Sequence, residues 1–222
     1  VINEAIRVVR SNMEFMFPEH NDSERGSVVA VTSINPGSGK SFISANLAAA
    51  FALKHKRVII IDLDLRRATL SKRLTSTQTG VSTLLSGRDN NWRDLVISGT
   101  DGRPDFFPAG PIPPNPSELL YSDRLKCLLE ELRDNYDVIF IDCPPVEVVA
   151  DTYIINRYAD LTLFVVRAGL LDRGMIPEIE RLFTSGKLRN MGLILNGTES
   201  YNGSRRYGYS YSYGYGYSYN YK

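Results

Sequence analysis

Cysteine is scarce: Cys127 and Cys143 are the only two in 222 residues. That is too few for a disulfide framework, and the simplest reading is reduced thiols in a cytosolic setting. Charge of one sign is not in excess either. Lys+Arg number 26 against 25 Asp+Glu, a formal net charge of +1. Composition therefore offers no nucleic-acid partner and no solvating acidic chain. Long hydrophobic runs are missing. The longest, near 45–53 and 58–61, fall well short of the ~20 residues of a spanning helix, and no secretory leader is visible. The first residue is Val1 rather than Met, so a longer parent protein is expected, with any membrane anchor in its missing part.

Aliphatic residues vanish at the C-terminal end: from Asn202 onward there is no Leu, Ile or Val. Tyr alternates there with Gly or Ser. Nine of the 13 tyrosines fall in the last 22 residues, namely Tyr201, Tyr207, Tyr209, Tyr211, Tyr213, Tyr215, Tyr217, Tyr219 and Tyr221. Such a stretch cannot bury enough aliphatic surface to offset its backbone entropy, so residues 201–222 are expected to form a disordered tail. A strand is the lesser alternative, because the intervening Gly and Ser weaken it. Over 198–222, Arg205, Arg206 and Lys222 stand against the one acid Glu199.

The rest, 1–200, reads as one domain. Ile6, Val9, Met13 and Met16 make one apolar stripe of a helix over 3–17, with Glu4, Arg7 and Arg10 on a neighbouring face. Buried strands are expected at 28–32, 58–63, 137–142, 161–166 and 192–195, and a short one at 106–107. Helices are expected at 42–55 and 117–135, the latter opened by Ser117 and Glu118. Strand and helix alternate, which predicts an α/β fold: a mostly parallel sheet flanked by helices.

The chemistry begins at Pro36-Gly37-Ser38-Gly39-Lys40-Ser41, between a strand and an Ala-rich helix. Glycines let the backbone curl around phosphates, and the helix N-terminus adds partial positive charge. Lys40 would reach the β- and γ-phosphates and the Ser41 hydroxyl would take Mg²⁺. The usual first glycine of a P-loop is replaced by Ile34. Two further strands end in acids, Asp62-Leu63-Asp64 and Asp142. Strand ends of this kind lie at the ligand-binding edge of an open α/β sheet. Three carboxylates converging on one phosphate loop would require a divalent cation, since like charges repel.

This ordered set resembles the bacterial tyrosine kinases, which regulate polysaccharide polymerisation and export. The matching elements are Glu4-x-x-Arg7-x-x-Arg10, the Pro36–Ser41 loop, Asp62-x-Asp64-x-Arg66, Pro113-Pro114-Asn115-Pro116-Ser117-Glu118-Leu119-Leu120, Asp142 with Pro144-Pro145, and the tyrosine cluster. The resemblance implies a P-loop NTPase of the deviant Walker, partition-ATPase-like type using ATP and Mg²⁺. It implies nucleotide contacts along Pro36–Ser41 and Phe42, with Asn196 beside the nucleobase. Lys40 would serve the phosphates. Ser41, Asp64 and Asp142 would hold the metal. Asp62 would orient or deprotonate the acceptor tyrosine, and the tail tyrosines would be autophosphorylated. Glu4, Arg7 and Arg10 would join subunits of a ring, an octamer. The implied partners are a membrane-spanning activator region, expected to be fused upstream, and a cognate phosphotyrosine phosphatase. The implied place is the cytoplasmic face of the bacterial inner membrane, with this piece itself soluble. No internal tyrosine follows the second motif before Tyr121, which argues against a phosphotyrosine switch there.

Two alternatives share the fold. One is a partitioning or septum-positioning ATPase switch. The other is a nucleotide-binding scaffold without turnover. The former carries a signature lysine five residues before the loop lysine, where this chain has Asn35.

Overall fold

The computed structural model describes residues 2–17, 25–146 and 150–198. The tyrosine tail, and with it the expectation of disorder over 201–222, lies outside the described residues. Six parallel strands form one sheet in the order β3-β2-β4-β1-β5-β6. They are β1 (Ser27–Ser33), β2 (Val58–Asp62), β3 (Asp105–Phe107), β4 (Val138–Asp142), β5 (Leu161–Arg167) and β6 (Met191–Asn196). The central strands β1, β2 and β4 are buried along their whole length. Helices cover both faces, which is why these strands read as continuous apolar runs.

Strand alternation sorts the side chains between two cores. Val28, Ala30, Ile59, Ile61, Ile139 and Ile141 face α4 (Val81–Leu85), α5 (Pro116–Tyr121) and α6 (Asp123–Asn135). Val29, Val31, Ile60 and Phe140 face α1 (Ile2–Met16) and α2 (Lys40–Ala52). The short helices α3 (Thr69–Leu74) and α7 (Asp151–Asn156), with α8 (Ile176–Thr184), complete the layers. Among the described residues, no helix is long and apolar enough to cross a membrane. Cys127 is exposed, Cys143 is buried, and neither is bridged.

Three details differ from the sequence reading. The helix expected over 117–135 is two helices, broken at Ser122, whose backbone is extended (ψ 152) and whose hydroxyl donates to the Leu119 carbonyl at 2.6 Å. Ser117 does not cap α5, because its hydroxyl donates to Asp151. On α1 the apolar stripe packs as expected, with Ile6 and Met13 buried. Arg10, however, leaves the charged face: it lies along α2 and donates to the Ala50 carbonyl at 3.0 Å. Glu4 and Arg7 stay in solvent as a 3.7 Å pair.

Candidate active site

The phosphate loop runs from the end of β1 to the start of α2. Ile34, at the place of the usual first glycine, is 2% exposed and packs with Val146 and Phe164. That position serves the core here, and the curl is left to Gly37 (φ 79) and Gly39 (φ 94). Both are in the left-handed region that glycine adopts without strain. A side chain at Gly39 would have its Cβ 2.2 Å from Asn196 Nδ2. The loop is held from outside. Asn196 Nδ2 donates to the Ser38 carbonyl at 2.9 Å, and Arg167 Nη1 donates to the Gly37 carbonyl at 2.9 Å. The Ser33 and Ser38 hydroxyls both donate to the Asn35 carbonyl.

The acids lie at the C-terminal edge of the sheet. Asp62 and Asp142 are in register across β2 and β4. Asp64 lies beyond the end of β2, and its Oδ1 accepts from the Arg67 amide. Asp62 is fully buried. Its Oδ2 accepts from the amide and hydroxyl of Ser71 at 2.8 and 2.6 Å, and its Oδ1 from the Asp64 amide at 3.2 Å. The Ser71 hydroxyl accepts in turn from the Ala109 amide at 2.8 Å. Burial raises the Asp62 carboxyl above its ordinary range, against the Ser71 hydrogen bonds. Asp142 Oδ2 accepts from the Ser41 hydroxyl at 2.6 Å. Its Oδ1 is buried with no partner. Burial pushes Asp142 up to about 7, opposed by the Lys40 charge and reinforced by Asp62.

Asp62 and Asp64 lie near enough to Asp142 for their charges to raise it, but the three do not form a ready-made ligand cluster. Among the described residues no group of three His, Cys, Asp or Glu side chains could hold a metal ion. A P-loop magnesium site does not need one, because hydroxyl, water and phosphate oxygens complete its shell. What the chain provides is the Ser41–Asp142 pair with one bare, buried carboxylate oxygen. That oxygen is costly to leave unpaired and is suited to a hard cation.

A cavity of about 540 Å³ opens beside this pair, lined by the loop, Lys40, Ser41, Phe42, Asp64 and Asn196. Its size is that of a small-molecule site. Gly37 has open space where a Cβ would stand, so backbone can meet a phosphate chain there. Asp62 and Asp142 lie beneath the lining rather than in it. The lining also contains Arg67, Arg73 and Arg167, which the sequence reading passed over because no motif marks them.

The family described as AAA domain matches residues 26–168. The tyrosine-protein kinase Etk of Escherichia coli is 37% identical over 196 residues, covering 87% of this chain and 26% of that protein. The solved kinase domain of this Escherichia coli kinase superposes with a TM-score of 0.78 at 33% identity, covering 93% of this chain and 80% of that one. The tyrosine-protein kinase YwqD of Bacillus subtilis is 34% identical and is covered over 81% of its length, with 88% of this chain. The septum site-determining protein MinD of Pyrococcus horikoshii, complexed with Mg-ADP, has a TM-score of 0.61 at 20% identity, covering 77% of this chain and 70% of that one. That last likeness shows the fold alone. The chain thus spans about a quarter of Etk and most of YwqD.

Proposed function

Because this chain belongs to the bacterial tyrosine-kinase family, we propose that it is an ATP-dependent protein-tyrosine kinase acting on its own tyrosine cluster. The observation that carries the reading is the Ser41–Asp142 pair with its bare carboxylate oxygen beside a glycine-curled phosphate loop. In the transfer, the phenolic oxygen bonds to the γ-phosphorus, the bond from that phosphorus to the bridging oxygen breaks, and ADP leaves. Lys40 stabilises the charge on the moving phosphoryl group. Ser41, Asp142 and Asp64 would hold Mg²⁺, whose charge would neutralise that of the phosphates. Asp62 would orient the phenol or take its proton: Oδ1, with its single 3.2 Å hydrogen bond, keeps a lone pair for this, and the carboxylate, buried beneath the cavity lining, must be uncovered as the acceptor enters. Asn196 and Phe42 lie against the nucleotide.

The acceptors are Tyr201 and Tyr207 to Tyr221, phosphorylated in trans within a ring whose contacts include Glu4, Arg7 and Arg10. Each phosphotyrosine adds about −1.5 to −2 of charge, and the accumulated repulsion drives the ring apart. This cycle would regulate polysaccharide polymerisation and export at the cytoplasmic face of the inner membrane. A fused membrane-spanning region would activate it and a phosphatase reset it.

The test is phosphotyrosine staining of the purified chain after addition of Mg·ATP, beside Lys40→Met. Staining in the wild type and its loss in a folded Lys40→Met chain is the expected result. Hydrolysis of ATP without phosphotyrosine would instead favour the positioning-ATPase reading.

A further inference from the structure

Three arginines in and just after the turn following β2 meet different fates. Arg66 is engaged: its Nε donates to Asp151 Oδ2 at 2.8 Å and its Nη2 to the Ser117 hydroxyl at 2.8 Å. Asp151 is buried there at 1% exposure. Arg67 and Arg73 are exposed and line the cavity that faces the phosphate loop. Neither side chain has an ion pair or hydrogen bond among the described residues. With Lys40 and Arg167 they set four cations against the single carboxylate of Asp64 in the cavity wall. Lys40 and the loop amides suffice for a nucleotide's phosphates, and Arg167 is tied to the loop itself. Two guanidinium groups at the cavity are left over.

The acceptor sequence supplies a match. From Tyr207 to Tyr221 a tyrosine stands at every second position. In an extended chain, residues two apart point to one side and lie roughly 6.6 Å apart. A neighbour of the reacting tyrosine is therefore one side-chain width from the active site. Unmodified, residues 201–222 carry Arg205, Arg206 and Lys222 and no acid, so two free arginines repel them. A phosphotyrosine reverses that sign and offers three acceptor oxygens to the guanidinium forks.

We propose that Arg67 and Arg73 form a phosphotyrosine subsite that holds a phosphorylated tyrosine two residues from the acceptor, so that each transfer primes the next. The proposal rests on the kinase reading and names the substrate state that the same site prefers. Phosphorylation of the cluster then begins slowly and accelerates along one chain, rather than spreading evenly over all chains.

The test uses the full 222-residue chain with Mg·ATP and peptides of the tail sequence. Each peptide has one acceptor tyrosine and every other tyrosine changed to Phe. One has no phosphate, one a phosphotyrosine two residues from the acceptor, and one a phosphotyrosine six residues away. The expected kcat/KM for the two-residue spacing is about tenfold above the unmodified peptide, the scale of one added charge-assisted contact. The six-residue spacing should gain less than about twofold, since general attraction is screened. Replacing Arg67 and Arg73 together by Ala should bring the tenfold ratio to one, and replacement by Lys should keep part of it. Fluorescence anisotropy of the labelled two-residue peptide, read with ADP present, should show about tenfold weaker binding to the Ala variant by the same reasoning. Equal kcat/KM for all three peptides on the wild type, or a ratio that survives the Ala variant, overturns the subsite and leaves the kinase standing. Absence of transfer to every peptide and to the chain's own tail overturns both.

Discussion

The two ends of the sheet treat their carboxylates in opposite ways. At the N-terminal end, Asp137 accepts from the Arg57 amide, Nε and Nη2 at 2.8, 3.1 and 2.8 Å. Burial works against its ionised form, but the Arg57 hydrogen bonds and charge outweigh that and hold it below its usual range. Asp160 accepts from Arg133 at 2.6 Å and from the Val28 amide at 2.8 Å, while Arg133 also donates to the Gly26 and Tyr158 carbonyls. At the C-terminal end, Asp142 meets one serine hydroxyl and no guanidinium, and Asp62 is pressed against backbone and Ser71. Asp137 and Asp160, like Asp151 against Arg66, each carry a guanidinium partner. Asp142 has only the Ser41 hydroxyl and the charge of Lys40 against it.

The largest effect should come from breaking the compensated end. Arg133→Ala strands Asp160 and should cost about 3–5 kcal/mol of stability, read as a shift of the urea midpoint at pH 7. A loss below 1 kcal/mol would show that this pair is not the anchor its geometry suggests. Next comes the uncompensated end. Asp142→Asn should weaken Mg²⁺-dependent nucleotide binding about a hundredfold, as expected for losing a charged ligand, measurable by calorimetry.

The same variant should behave oppositely without ligand. Asp142 has a folded pKa of about 7 against an ordinary 3.8. As pH rises between those values the unfolded chain releases its proton first, so this group makes the fold progressively less stable, with no further loss above. In EDTA, Asp142→Asn should gain stability relative to the wild type between pH 5 and pH 8, by a few kcal/mol. Asp137 acts with the reverse sign, and its contribution is lost only as pH falls below about 4. A wild-type-minus-variant difference that stays flat from pH 5 to 8 would refute the strained state of Asp142.

A smaller effect is expected at the loop. Gly39→Ala combines a left-handed φ of 94 with a clash against Asn196, and should cost about 1–3 kcal/mol, seen as a lower melting temperature and weaker nucleotide binding. The smallest belongs to Arg7. Its pair with Glu4 is 3.7 Å long with both side chains mostly in solvent. Arg7→Ala should therefore change single-chain stability by under about 0.5 kcal/mol. Any shift in light-scattering mass then reports a contact between chains. Arg10 cannot be read so cleanly, since its change also frees the Ala50 carbonyl.

All six strands were legible in the sequence to within a residue or two: β1, β2, β4 and most of β5 are buried on both faces and read as unbroken apolar runs, and the edge strand β6 kept an apolar run although Leu193 and Leu195 are exposed. The phosphate loop between β1 and α2 was legible because its spacing is local, and Asp62 and Asp142 were legible as the ends of apolar strands, although Asp142 lies 101 residues from Ser41. The break at Ser122 was not, since Leu119 to Leu132 keeps a helical period across it. Nor were Ser71 against Asp62, Arg167 against Gly37, and Arg10 against Ala50. Ser71 meets Asp62 across the short turn after β2, Arg10 meets Ala50 by the packing of α1 on α2, and Arg167 meets Gly37 because β5 lies beside β1; a serine or arginine carries no mark of its partner. Ile34 looked like a damaged glycine motif, and its meaning emerged only from its burial.

The Asn196–Ser38 hydrogen bond joins positions 158 residues apart, and it orders events during synthesis. At about 5–20 residues per second, the phosphate loop leaves the ribosome roughly ten to thirty seconds before its brace exists. Until β6 pairs with β5, the Ser38 carbonyl lacks its donor and one wall of the cavity is missing. A nascent chain thus carries a complete loop sequence and an unfinished site, and its nucleotide pocket can close only after the last strand of the sheet has been made.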